Sequence, residues 1–168
     1  GHSIKRSLVP LNASGVELIQ KLHAKAESMG VTIHKNTRAN KLEMTDGKVT
    51  AVKADFNGQE ITYTANKGVV LATGGFGSNI EMRKQYNPKM DEKILSTNSV
   101  GSTGDGIVMA QELGAQVVDM QYIQTYPTCD AETGALLYVA DVRLDSYGVL
   151  VNKEGKRFVE ELEARNVI

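Results

Sequence analysis

The stretch Lys67-Gly-Val-Val-Leu-Ala-Thr-Gly-Gly-Phe-Gly77 limits the fold more than any other part of the chain. It begins as an apolar run, Val69-Val-Leu-Ala72, and ends on Gly74, Gly75 and Gly77. A short apolar run bounded by glycines reads as a strand buried in a parallel sheet. Glycines at its carboxyl end let the backbone bend sharply and lie against a ligand with no Cβ in the way. Ser78-Asn-Ile-Glu81 follows, with the Ser-x-x-Glu spacing that caps a helix. Strand, glycine turn and helix start, in that order, mark where open α/β sheets hold cofactors. A purely structural βα turn would use the same residues.

The preceding segment reads as local elements. Ser14 and Glu17 have capping-box spacing, and Val16, Ile19, Leu22, Ala26 and Met29 recur at helical intervals until Gly30. Residues 31–34 read as a short strand. Asp46-Gly47 and Asn57-Gly58 are hairpin turns between alternating runs, which predicts three short antiparallel strands across residues 37–64.

After the glycine turn, residues 80–86 read as a helix stopped by Asn87-Pro88. Residues 96–106 form a polar, glycine-rich loop, and a helix over 107–113 ends at Gly114. Asp105 stands at the start of that helix, where the helix dipole favours a carboxylate. The other use of such a group is to hydrogen-bond a sugar or polyol hydroxyl. The character changes near residues 120–126. Beyond it, 130–134 and 152–155 read as turns and 136–139 and 149–151 as strands, followed by a charged segment over 160–165.

Composition excludes several function classes. The 19 basic and 20 acidic side chains nearly cancel, and no basic block with interleaved aromatics suggests nucleic acid. No apolar run approaches the roughly 20 residues needed to cross a bilayer. The single cysteine, Cys129, excludes an internal disulfide and a cysteine-based metal cluster, and the three histidines lack ligand spacing, so no metal site is expected. No basic-then-apolar leader opens the chain, so its start does not indicate a compartment.

Five motifs then occur in order: Leu71-Ala-Thr-Gly-Gly-Phe76, Ser96-Thr-Asn98, Gly104-Asp-Gly106, Asp119-Met-Gln-Tyr-Ile-Gln124, and Gly155-Lys-Arg-Phe158 with Glu161 and Arg165. Together they resemble the soluble fumarate reductase and flavocytochrome c group of FAD-dependent reductases, over almost the whole chain. The resemblance implies an α/β fold: a partial Rossmann-like FAD-binding domain with a small antiparallel β-meander insertion, then the start of an α+β capping domain. It puts the first domain at 1–122 and the second at 123–168. The family's opening Gly-x-Gly-x-x-Gly unit has no counterpart here, and the family continues past Arg165. The chain thus reads as an internal piece, inactive in isolation.

The resemblance also implies the cofactor and its contacts. FAD would meet Ala72, Thr73, Gly74 and Gly75 closely, Asn98 and Asp105 on its ribityl or isoalloxazine side, and Ala39 through a backbone contact to adenine. Electrons would come from a donor domain or protein outside this chain, carrying FMN or haem. Family members that respire on such acids point to the periplasm or cell envelope, with the cytoplasm as the alternative.

Two positions discriminate within the family. Fumarate reductases carry Gln-x-His-Pro where this chain has Gln124-Thr-Tyr-Pro127, and a Glu-x-x-Arg where it has Ala140-Asp-Val-Arg143. Tyrosine offers a neutral hydroxyl and a ring face in place of an imidazole that helps bind a carboxylate. Asp141 offers an acceptor. Both changes favour a substrate whose far end is an aromatic N–H donor rather than a second carboxylate. The Tyr126 and Asp141 pair resembles the substrate pair of urocanate reductases, which implies reduction of urocanate to imidazole propionate. The resemblance gives the proton-donor role to Arg165, with Arg143 as relay and Glu161 orienting Arg165 if that segment is helical. Taken as residues alone, Tyr126 also reads as a packing aromatic, Asp141 as a solvated strand-end charge, and Glu161 with Arg165 as a surface pair. The alternatives are reduction of fumarate or another 2-enoate, and a folded, non-catalytic fragment without bound cofactor.

Overall fold

The computed structural model describes residues 10–12, 14–126, 129–135, 148–163 and 167. The chain divides into two compact units, Gly1–Ala39 with Ala54–Ile61, and Asn40–Lys53 with Thr62–Ile168.

In the first unit, α1 spans Gly15–Ser28. Ser14 caps it, its Oγ accepting the Val16 N–H at 3.1 Å, while Glu17 pairs with Lys21 rather than reaching back to the cap. At the other end Gly30 takes φ +83°, the Gly30 N–H meets the Glu27 carbonyl at 2.9 Å and the Val31 N–H meets the Ala26 carbonyl at 3.1 Å. This is the Schellman closure that a glycine past the last turn permits. The apolar stripe of α1 is not covered: Val16, Ile19, Leu22 and Met29 are all more than half exposed.

The strand expected over 31–34 does not form, and Val31 is 53% exposed. A strand needs a neighbour to accept its backbone hydrogen bonds, and the sheet contains only later segments. Its strands are β1 (Thr37–Thr45), β2 (Lys48–Phe56) and β3 (Gln59–Thr64), in the order β1-β2-β3. Both turns are of the expected kind. Asp46 and Gly47 have φ of 50° and 74°, and Asn57 and Gly58 have 54° and 80°. Two successive positive φ values match the right-handed twist of the flanking strands. Leu42, Ala51 and Ala54 are the buried side chains of the sheet.

The second unit holds the central stretch. Residues 69–72 do not form the buried parallel strand expected of them; Val70 is 89% exposed and Leu71 is 42% exposed. An apolar run becomes a central strand only when strands pair on both its edges, and among the described residues no strand forms beside it. Helix α2 spans Ile80–Tyr86 as expected, but its cap is Asn79, not Ser78. Asn79 Oδ1 accepts the Met82 N–H at 3.0 Å, whereas Ser78 Oγ donates to the Ser99 carbonyl at 2.8 Å. Helix α3 spans Asp105–Glu112, two residues earlier than its periodicity predicts, because Gly104 enters at φ +81°. Met82 of α2 and Met109 of α3 are buried.

Further along, Asp130 closes the expected turn: its carboxylate accepts the Thr133 N–H at 2.8 Å and the Thr133 hydroxyl at 2.6 Å. Asn152 closes the next, with its carbonyl taking the Gly155 N–H at 2.9 Å. The strand expected over 149–151 reduces to one antiparallel bridge, Val151 with Arg157. The strand expected over 136–139 lies outside the described residues.

Candidate functional site

The glycine turn and the polar loop are bound into one structure. The Gly104 N–H donates to the Gly75 carbonyl at 3.1 Å, the Ser78 N–H to the Ser102 carbonyl at 2.9 Å, and Asn79 Nδ2 to the Thr103 carbonyl at 2.9 Å. Side chains close the seam. A Cβ on Gly106 would lie 2.1 Å from Thr73 Oγ1, and one on Gly77 would lie 2.2 Å from Asn98 Nδ2. A Cβ on Gly104 would meet Phe76 Cβ at 2.8 Å. Phe76 also packs on Tyr86, with ring centroids 5.8 Å apart, which ties the turn to the end of α2.

The glycines therefore divide by use. Gly77, Gly104 and Gly106 are filled by their neighbours. A Cβ on Gly74 or Gly75 would meet nothing within 4 Å, and Gly74 sits at φ +76°. These two, with Ala72 and Thr73, are exposed. Leu71, Ala72, Thr73 and Gly74 face Gly106 and Ile107 across a cleft of about 250 Å³. Backbone without side chains, bent in a left-handed turn and open on one side, fits a flat cofactor edge laid against the main chain.

Asp105 begins α3, and the Thr103 hydroxyl donates to its Oδ1 at 2.7 Å. Asn98 is held by Ser96, whose Oγ accepts from the Asn98 N–H at 3.2 Å and from Nδ2 at 3.3 Å. Asn98 also lines a second cavity of about 340 Å³. Gly77, Arg83, Gln124 and Tyr126 share its wall. The structure thus brings together one expected cofactor residue, Asn98, and one expected substrate residue, Tyr126. Ala39 is half-buried in β1 and belongs to the first unit. Asp141, Arg143 and Arg165 lie outside the described residues.

Glu161 is buried, at 4% exposure, and its carboxylate is taken up by Arg157. Arg157 Nε lies 3.2 Å from Oε1 and 3.1 Å from Oε2, Nη2 lies 2.6 Å from Oε2, and the Leu150 N–H reaches Oε1 at 2.7 Å. The fork of charged donors pulls the carboxyl down to about 2. The segment 161–163 is a turn and bend, not the helix on which the expected Glu161–Arg165 geometry depended.

Sequence reasoning missed Arg83. This guanidinium is 4% exposed, donating from Nη1 to the Ile94 carbonyl at 3.0 Å and from Nη2 to the Asp91 carbonyl at 3.3 Å. Its position in the last turn of α2 reads as an exposed charge favoured by the dipole, so no local signal marks it as buried. Ser96 is singled out within the Ser96-Thr-Asn98 motif but given no role, although a serine two residues before an asparagine can hold it by a local side-chain hydrogen bond.

The FAD binding domain family model matches residues 1–168. The chain is 54% identical over 171 residues to the urocanate reductase of Eggerthella lenta, covering 100% of this chain and 28% of that protein. It is 40% identical over 168 residues to the NADH:acrylate oxidoreductase of Vibrio harveyi, covering 98% of this chain and 17% of the relative. The open conformation of a flavocytochrome c3 fumarate reductase superposes with a TM-score of 0.78 at 36% identity, over 96% of this chain and 28% of that one. The chain thus spans less than a third of the length of each.

Proposed function

The chain belongs to the FAD binding domain family, with FAD as its cofactor, and from this premise we propose that it is part of an enzyme that reduces the alkene of an α,β-unsaturated carboxylate. The substrate we assign is urocanate and the product imidazole propionate. Residues 1–122 would belong to the FAD-binding domain and 123–168 to the start of a substrate-capping domain. Supporting the substrate class are the urocanate and acrylate enzymes among its relatives. The observation that carries the site is the shared cavity: Asn98, tied to the glycine turn at Gly77, and Tyr126 line one wall.

When bound and reduced, FAD would supply the hydride for one alkene carbon. The chain's residues do the rest. Ala72, Thr73, Gly74 and Gly75 offer backbone to the cofactor, and Asn98 and Asp105 offer polar groups beside it. Tyr126 gives a ring face for an imidazole, and Asp141 accepts its N–H. Arg165 donates the proton to the second carbon. A guanidinium holds its proton to above about pH 12, so transfer requires a strongly basic acceptor and prompt return of the proton, which is the task of Arg143. Glu161 would act at one remove, by anchoring the chain that leads to Arg165 through Arg157.

A panel of alkene acids tested with a reduced dye donor checks this reading. Urocanate should turn over fastest, and Tyr126→Leu, which removes the ring face, should raise its KM more than it lowers kcat. Faster turnover of fumarate would replace the substrate assignment. A purified protein with no flavin absorbance, even after incubation with FAD, would favour a non-catalytic folded module.

A further inference from the structure

We propose that Arg83 is a positioning residue that sets the cofactor side of this site by holding Asn98 in place, an inference that rests on reading Asn98 as a flavin contact. Arg83 projects from α2 and grips the carbonyls of Asp91 and Ile94, the two ends of the bend that leads into Ser96. Ser96 Oγ then holds both the backbone N–H and the side-chain amide of Asn98. The Asn98 amide in turn lies so close in front of Gly77 that a Cβ there would displace it. One unbroken line of contacts therefore runs from α2 through the 91–96 bend to the glycine turn.

Two properties set Arg83 apart from an ordinary stabilising contact. Among the described residues its hydrogen bonds go to backbone carbonyls and it forms no ion pair, and its Nε is a buried donor without a hydrogen-bond partner. Such burial is unfavourable, and an apolar side chain of similar volume would serve packing alone better. What a guanidinium adds is a rigid planar fork that holds two carbonyls in fixed relation, which the single point charge of lysine does not. Arg83 also contributes to the wall of the cavity shared by Asn98 and Tyr126.

A double-mutant cycle on the flavin-loaded protein tests this, using Arg83→Lys, Asn98→Ala and both together. The measurements are the FAD Kd from flavin fluorescence, the position of the visible flavin band, and circular dichroism for the fold. Asn98→Ala should weaken FAD roughly tenfold, about 1.4 kcal/mol, and shift the band. Arg83→Lys should weaken FAD several-fold by itself and add nothing once Asn98 is gone, since neighbours acting through one another are not additive. Equal losses from Arg83→Lys in both backgrounds would overturn the positioning role while leaving Asn98 as a flavin contact. No effect of Asn98→Ala on either flavin measurement would remove that contact, and the positioning role with it. Arg83→Gln, neutral but still a donor, serves if the lysine variant does not fold. Loss of folding in both Arg83 variants, with Asn98→Ala folded, would assign Arg83 to the fold alone and overturn the proposal.

Discussion

Glycine does different work at positions a few residues apart. At Gly106 the absent Cβ makes room for Thr73, with Oγ1 at 2.1 Å and two carbons at 3.0 Å from where it would stand. Gly106→Ala would force the Thr73 side chain to shift, and overpacking of this kind costs about 1–3 kcal/mol. At Gly74 there is space for a methyl group but φ is +76°. Gly74→Ala should cost about 1–2 kcal/mol of backbone strain and, on the proposed reading, place a methyl group against the cofactor. Thermal melts of the FAD-free protein should therefore show Gly106→Ala as the more damaging of the two. FAD titration should show a larger loss for Gly74→Ala than its strain predicts. A Gly74→Ala protein that binds FAD normally would remove the bend from the cofactor site.

Among the elements, α2 shows how tertiary context reassigns a cap. Both Ser78 and Asn79 are good cap residues. Asn79 takes the role because its Nδ2 also reaches the Thr103 carbonyl, while Ser78 is committed to the Ser99 carbonyl. Asn79→Ala should cost about 1–2 kcal/mol, more than Ser78→Ala, and comparing the two by denaturant unfolding checks the order. The Arg157–Glu161 pair gives an element-scale pH response. Its carboxyl is lowered from 4.5 to about 2, with Arg157 the first cause and the Leu150 N–H the second. A lowered carboxyl stabilises the fold above its unfolded value and loses that contribution as pH falls towards its folded value. The stability gap between the wild type and Glu161→Gln should therefore be constant above about pH 4.5 and shrink between 4.5 and 2. A gap that does not change with pH in that window would show that the pair adds nothing through its charge.

For the molecule as a whole, apolar surface is the main feature. Val16, Ile19 and Leu22 on α1, Val70 in the central stretch, and Val100, Val118 and Tyr122 are all more than half exposed. The described core is small, with Leu42, Ala51, Ala54, Met82 and Met109 its buried apolar side chains. Among the described residues no helix is long and apolar enough to cross a membrane, and none of their His, Cys, Asp and Glu side chains group as a metal site. The chain spans 28% of its urocanate-reducing relative, and assignment of activity at this scale rests on the substrate panel described above.

What the sequence determined by itself was local. The hairpin turns at Asp46-Gly47 and Asn57-Gly58, the glycine closure of α1, the extent of α2 and the asparagine and aspartate turns follow from the φ preferences and short-range hydrogen bonds of a few consecutive residues. The flavin was legible by another route, the resemblance of five motifs in order to a family of FAD-dependent reductases. Tertiary structure decided the rest. Residues 31–34 and 69–72 had the composition of strands, but strand formation requires partners distant in sequence. The cap of α2 depended on Thr103, the burial of Arg83 on the carbonyls of Asp91 and Ile94, and the capture of Glu161 on an arginine at turn rather than helix geometry. The strands, the cap and Arg83 depend on which distant groups arrive beside them, which no window of neighbouring residues contains; Arg157 stands only four residues before Glu161, and there it was the turn geometry that the local sequence left open.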